Sequence, residues 1–271
     1  MIEAHDRIRV PDGVELRAGA IHDPVRAGSL PVNATGLVAL AADTPAAAAD
    51  ALRDLSGVDP EVVLRDVLRF CSELNARLLL NVAPRGGGVI LAWRWARRVP
   101  LLLPLGLLPR LPVGRSSVDT ADLRALARTA AAPLARCAAS IFATGAAVAA
   151  VLLTVLGVPS APALAVSLGA AVASTVALHE LAHLVALRGV PACLVTRGLR
   201  VAVVHRATSG PRTRLVAGAG PAAGLLASAA LLAVVALVPS SEGAAAACVA
   251  LLNAFGLTVL SRDGRTLCGL R

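Results

Sequence analysis

The chain has 271 residues, is 56% hydrophobic and carries a formal net charge of +9, with a mean hydropathy of +0.73. That is too apolar for an ordinary soluble protein of this length. Aromatics are only 2%, which excludes base-stacking platforms for single-stranded nucleic acid. The excess of Arg lies beside apolar stretches, as in proteins that meet a membrane surface.

Residues up to about Val82 mix acids and Arg like a soluble domain and predict a small α+β fold. VELRAGA (from Val14) and AGSLPV (from Ala27) alternate well enough for a hairpin. Three helix starts follow. Asn33 can cap the first. Thr44-Pro45 and Asp59-Pro60 each set a capping side chain before a proline at the first helical position. In the third helix Val63, Val67, Phe70 and Leu74 share one face. RLLLNV, a short apolar run, ends the domain. Residues 1–82 show no dense Arg face, so no nucleic-acid partner is expected.

PRGGG (Pro84 to Gly88) reads as a linker. From Val89 to Arg115 the chain is apolar but interrupted by Arg94, Arg97, Arg98, Arg110 and several prolines, so an interfacial segment is expected, with Trp93 and Trp95 at headgroup level. Four stretches then approach the roughly 20 residues needed to span a bilayer: about Cys137 to Val158, Ala163 to Leu187, Leu215 to Val238 and Gly243 to Leu260. The Arg-rich connections fall on one side if these spans alternate, and the positive-inside rule makes that side cytoplasmic. A multi-pass protein of the cell membrane follows, with the N-terminal domain and the C-terminus in the cytoplasm. ACLVTRGLRVAVVHR, between the second and third spans, suits a small hairpin. The expected divisions are 1–84, a linker and interfacial segment over 85–132, and a membrane domain over 133–271. No secretory signal is expected, because the first residues are polar and mixed in charge. The five cysteines are scattered without a CxxC pair, so neither a disulfide framework nor a thiolate metal site is indicated.

The strongest chemical signal is HELAH, residues 179 to 183. On a helix, positions i and i+4 share a face, so His179 and His183 can meet one metal ion. Glu180 sits about 100° round the helix and can reach a water on the metal instead. Zinc lowers the pKa of such a water, and Glu180 would take its proton during attack on a carbonyl. Between Asp122 and Glu242 the only acid is Glu180. Two imidazoles and a carboxylate inside an otherwise uncharged span are costly to bury and are functional by default. The competing reading is a pair of packing histidines with Glu180 facing water. Hydrolytic zinc sites usually take a third protein ligand. Asp263 lies at a compatible depth after the fourth span and is the expected one, with His205 a loop alternative and a solvated turn before Gly264 the plain role for Asp263.

HELAH in an apolar helix followed by a late Asp-Gly resembles the site-2 protease family of intramembrane metalloproteases, over about Cys137 to the C-terminus. GAGPAAG (Gly218 to Gly224) is similar to that family's Gly-Pro motif, and NAFGLTVLSRDGR (from Asn253) to its approach to Leu-Asp-Gly. The resemblance implies zinc held by His179, His183 and Asp263, with Glu180 as the catalytic carboxylate. Gly224 stands where many members carry Asn, and the prolines before Asp-Gly are missing, with Ser261-Arg262 in place of an apolar approach. Asn253 could orient the substrate backbone or serve a helix–helix hydrogen bond.

Over about Ile8 to Val82, the hairpin followed by three helices, with NATGLVAL and DPEVVLRDVLRFCSELNARLLL, resembles the PqqD-like fold, or RiPP recognition element. That resemblance implies a winged-helix-like domain that takes a leader peptide as an added strand. The expected fold class is therefore an α+β winged-helix-like N-terminal domain, then an all-α polytopic membrane domain of about four transmembrane helices. The expected function is maturation or leader removal of a ribosomally made precursor peptide, with lipid bilayer and peptide-modifying enzymes as further partners. The alternatives are cleavage of a membrane-anchored regulator, or a non-catalytic membrane anchor for a peptide-binding module.

Overall fold

The computed structural model describes residues 2–17, 19–87, 90, 93–94, 96–97, 111–251 and 261–267. The chain divides into two compact units. One holds residues 1–117 with 195–200, and the other 118–194 with 201–271.

The first unit is an α/β region with small sheets. Strand β1 (Arg7–Arg9) pairs antiparallel with β5 (Asn81–Ala83), Ile8 opposite Val82. Strands β2 (Glu15–Arg17), β3 (Ala20–Asp23) and β4 (Gly28–Pro31) form a second antiparallel sheet in that order. This corrects the hairpin expected between Val14 and Ala27 onward: β2 and β4 each pair with β3, not with each other. The cause is Gly19, which takes φ 78 and reverses the chain after Arg17. Ala20–Asp23 thereby becomes a strand of its own.

Helices α1 (Ala34–Ala41), α2 (Pro45–Ser56) and α3 (Pro60–Ala76) begin at the three expected caps. The side chains of Asn33, Thr44 and Asp59 accept from the backbone N–H of Gly36, Ala47 and Glu61, at 2.8, 3.2 and 2.9 Å. Gly57, in the left-handed region at φ 64, ends α2. The buried face of α3 is Val63, Val67, Cys71 and Leu74, packed with Ile8, Ile21 and Leu52, while Phe70 is only half-buried. Burial pushes the Cys71 thiol up to about 11, so it behaves as a small core hydrophobe.

Two buried charges in this unit are matched. Arg115 donates from Nη1 and Nη2 to the Asp23 carboxylate at 2.8 and 2.7 Å, with both side chains under 5% exposed. Burial alone would raise the Asp23 carboxyl, but the hydrogen bonds and charge of Arg115 outweigh it and hold the group below its usual range. Asp6, fully buried, accepts from Arg94 Nη1 at 2.8 Å, and Arg94 also pairs with Glu3 at 2.9 Å. Arg94 is therefore tied into this unit by two acids. Asn75 and Asn81 act as side-chain strand partners: Asn75 bonds both the N–H and the carbonyl of Val113, and Asn81 those of Arg115.

Among its described residues the second unit contains three helices long and apolar enough to cross a membrane: α4 (Leu123–Val155), α5 (Ala161–Ala186) and α6 (Gly210–Leu237). The shorter α7 (Ser241–Leu251) and α8 (Arg262–Leu267) follow. The rest of the expected fourth span lies outside the described residues. Helix α4 begins at Leu123, inside the segment expected to be a linker, because Asp122 caps it by accepting from Arg124 N and Ala125 N. Those two bonds also hold the exposed Asp122 carboxyl below its usual range. The far end of α4 exposes Val148, Val151, Leu152 and Val155, a continuous apolar surface suited to lipid.

Helix α5 is central, touching α4, α6 and α7. Its buried Ala165, Gly169 and Ala173 form a narrow face at four-residue spacing. At Gly169 a Cβ would meet Ala146 N at 2.9 Å and Phe142 O at 3.0 Å, so α4 and α5 approach at backbone distance. Between α5 and α6 the chain forms β7 (Ala192–Arg197) and β8 (Arg200–His205), turning at Gly198, φ 60. These join β6 (Gly114–Val118) in a sheet of order β6-β7-β8. The hairpin expected in ACLVTRGLRVAVVHR is thus present, and the part after the N-terminal region is helical around it and not purely α, because a two-residue turn at a glycine favours strand pairing.

Candidate metal centre

HELAH occupies the last turns of α5, and its polar groups point into the unit. Glu180 and His183 are buried and His179 is nearly so. One helical turn separates the imidazoles, and their Nε2 atoms lie 3.0 Å apart. Asp263, in the first turn of α8, brings Oδ2 to 3.3 Å from His179 Nε2 and 3.5 Å from His183 Nε2. The ligand atoms of these three residues all lie within 4.8 Å of one another. Helix α8 contacts α6, which contacts α5. A residue 80 positions beyond the histidines thus reaches them through helix packing alone.

The donor set fits a divalent ion on two grounds. A tetrahedral zinc with bonds of about 2.0–2.2 Å spaces its ligands roughly 3.3–3.6 Å apart, close to the separations found. The orientation of the His183 ring also suits a shared ion. His183 Nδ1 lies 2.6 Å from the Val216 carbonyl, which can only accept. That assigns the Nδ1–H tautomer and turns the Nε2 lone pair toward His179 and Asp263. Two ring nitrogens and a carboxylate oxygen then face each other, an arrangement that a shared cation stabilises. His179 Nδ1 is buried and has no hydrogen-bond partner among the described residues.

Glu180 stands beside this cluster. Its Oε2 accepts from Val203 N of β8 at 3.0 Å, and it interacts electrostatically with His183, His179 and Asp263. His205, the alternative third ligand, is outside the cluster: its Nδ1 meets the neighbouring Arg206 carbonyl at 2.7 Å. Asn253 lies outside the described residues.

Sequence reasoning missed three contributors. Val203 contributes a backbone N–H, Val216 a backbone carbonyl, and Gly220 its missing side chain, since a Cβ there would run into both imidazoles. Backbone groups leave no mark in residue identity. Gly220 did have a signal, as the glycine of the Gly-Pro pair in GAGPAAG, but residue identity did not show that it meets the imidazoles.

A second concave feature lies in the first unit. A groove of about 530 Å³ runs between α1, α2 and α3, lined by Ala34, Val38, Leu55, Val58, Val67 and Phe70, with Asp66 among them. Strand β4 lies at the edge of its sheet, and Phe70 is also grouped with Pro31 and Val32. No protein-family model, curated protein or solved structure matches this chain.

Proposed function

We propose that this protein is a membrane-embedded zinc metalloendopeptidase of the site-2 protease type, joined to a PqqD-like, winged-helix-like peptide-recognition domain. It would mature a ribosomally made precursor peptide or remove its leader. The observation that carries the proposal is the convergence of His179 Nε2, His183 Nε2 and Asp263 Oδ2, with the Glu180 carboxylate alongside. Packing histidines would be expected to bond outward to backbone, not to bring two ring nitrogens and a carboxylate oxygen to one point.

When held by these three residues, zinc supplies Lewis acidity, lowering the pKa of a water and polarising a peptide carbonyl. The remaining work falls to the chain. His183 keeps its Nε2 lone pair available because its Nδ1–H is committed to the Val216 carbonyl. Glu180 is oriented by Val203 N–H at Oε2, so Oε1 is the oxygen that takes the proton from the attacking water and returns it to the leaving amine. Burial of Glu180 and His183 among apolar helices strengthens these interactions.

For recognition, β4 offers a sheet edge beside α3, and the α1–α2–α3 groove offers apolar pockets. An extended leader would add as a strand on that edge, and tethering would raise the substrate concentration near the zinc. The protein would sit in the cell membrane with its N-terminal domain and C-terminus in the cytoplasm, as the Arg-rich connections favour.

The test uses purified protein in detergent, incubated with precursor peptides encoded beside its gene. Cleavage by the wild type and none by Glu180→Ala is expected. Cleavage that survives Glu180→Ala, or no cleavage of any neighbouring peptide, rejects the proposal.

A further inference from the structure

Helix α6 meets the histidine pair at one glycine. Gly220 is buried one turn beyond Val216, the residue whose carbonyl fixes His183. A Cβ on Gly220 would lie 2.5 Å from His183 Nε2 and 2.7 Å from His179 Nε2, with His179 Cδ2 at 2.8 Å. All three are closer than a Cβ ever approaches a heavy atom that is not bonded to it. Gly218, in the same helix, is a useful contrast: its Cβ would first meet Leu267 Cδ2 at 3.3 Å, the movable end of a flexible side chain.

The imidazoles have little freedom to yield. Turning the His183 ring away would break its 2.6 Å bond to Val216. The His179 ring stands edge-on to that of His183, with centroids 4.6 Å apart and an interplanar angle of 79°, so it cannot swing inward. Glycine is also the poorer helix former at an interior position, so helix stability does not favour it there.

We propose that Gly220 is a positioning residue for the metal: its bare Cα leaves the space in which the two Nε2 lone pairs converge, and any side chain there drives them apart. This rests on the metal-site reading and names a residue that the ligand set alone does not reveal.

The experiment compares full-length wild type, Gly218→Ala and Gly220→Ala in detergent. Zinc affinity is measured by titration and metal analysis, and melting temperature is measured without metal. Wild type and Gly218→Ala are expected to bind zinc alike, and Gly220→Ala to bind it about tenfold or more weakly, as when support for a metal ligand is lost. A second arm adds Gly220→Ala to a chain in which His179 and His183 are both alanine. There the new methyl meets no ring, and the better helix former raises the melting temperature, whereas the same change lowers it in the wild type. Wild-type zinc affinity in Gly220→Ala overturns the Gly220 role and leaves the metal site standing. A wild-type protein that binds no zinc overturns both. If Gly220→Ala alone does not fold, the histidine-free background decides: restored folding supports the clash, and continued failure overturns it.

Discussion

The two units bury charge to opposite ends. In the first, each buried charge has a partner of opposite sign: Asp23 lies against Arg115 and Asp6 against Arg94. Those groups are consumed by the architecture. In the second, Glu180 and His183 are buried and His179 nearly so, with Asp263 beside them, and the histidine Nε2 and Asp263 Oδ2 atoms face one another. A buried pair of opposite charges is a structural device of modest net worth. Two imidazoles and a carboxylate drawn together at one point, with no hydrogen-bonded ion pair of the Asp23–Arg115 kind, form a set of donors that a cation can join. That difference separates a load carried by the fold from groups available for chemistry.

The comparison can be broken first at Glu180. On the proposed mechanism, Glu180→Gln keeps the Val203 hydrogen bond but removes the proposed proton acceptor, so kcat for precursor cleavage should fall about 10²–10⁴-fold, with zinc content unchanged. A fall in zinc instead would make Glu180 a ligand. In the first unit the corresponding stroke is Arg115→Met, which leaves Asp23 buried and unpaired. A loss of about 3–5 kcal/mol is expected, read by hydrogen exchange at the α3 amides, while zinc binding persists. Replacing both partners, with Asp23→Leu and Arg115→Met, should recover most of that loss.

The same pair gives a pH dependence. The folded Asp23 carboxyl lies below its unfolded value of about 3.9. The folded state therefore binds the proton less readily, and its stabilisation is fully present above that pH. It is lost as pH falls through the depressed folded value. Denaturant melts of the first unit should weaken below about pH 4, and Asp23→Asn should flatten that slope. The smallest expected effect is at a helix cap: Thr44→Ala should cost about 1 kcal/mol, seen as faster exchange in the first turn of α2 with no change at the metal centre.

What the sequence made legible was local. Asn33, Thr44 and Asp59 announce helix starts because a cap needs only a side chain and the next turn of backbone. The i, i+4 spacing of HELAH likewise puts two imidazoles on one face before any packing is known. The β2–β3–β4 sheet was misread because the reversal at Gly19 lies within an alternating run, which looked like one strand. Other features depend on contacts far apart in the chain. Asn75 and Asn81 bridging to residues 113–115, Val203 N–H on Glu180, and the Val216 carbonyl on His183 all use backbone partners that residue type cannot reveal. Asp263 was nameable because it lies at a compatible depth after the expected fourth span, in a late Asp-Gly; that α8 brings it within 3.5 Å of both histidines is a result of helix packing.

The account stands most directly on whether these residues hold an ion together. Zinc titration of the full-length protein, with Asp263→Ala and His179→Ala alongside, measures this. High-affinity binding by the wild type, with affinity reduced by about 10²-fold or more in each variant, is the result expected of lost ligands. A folded wild-type protein that takes up no zinc, or an Asp263→Ala variant that binds it as tightly as the wild type, would contradict the account.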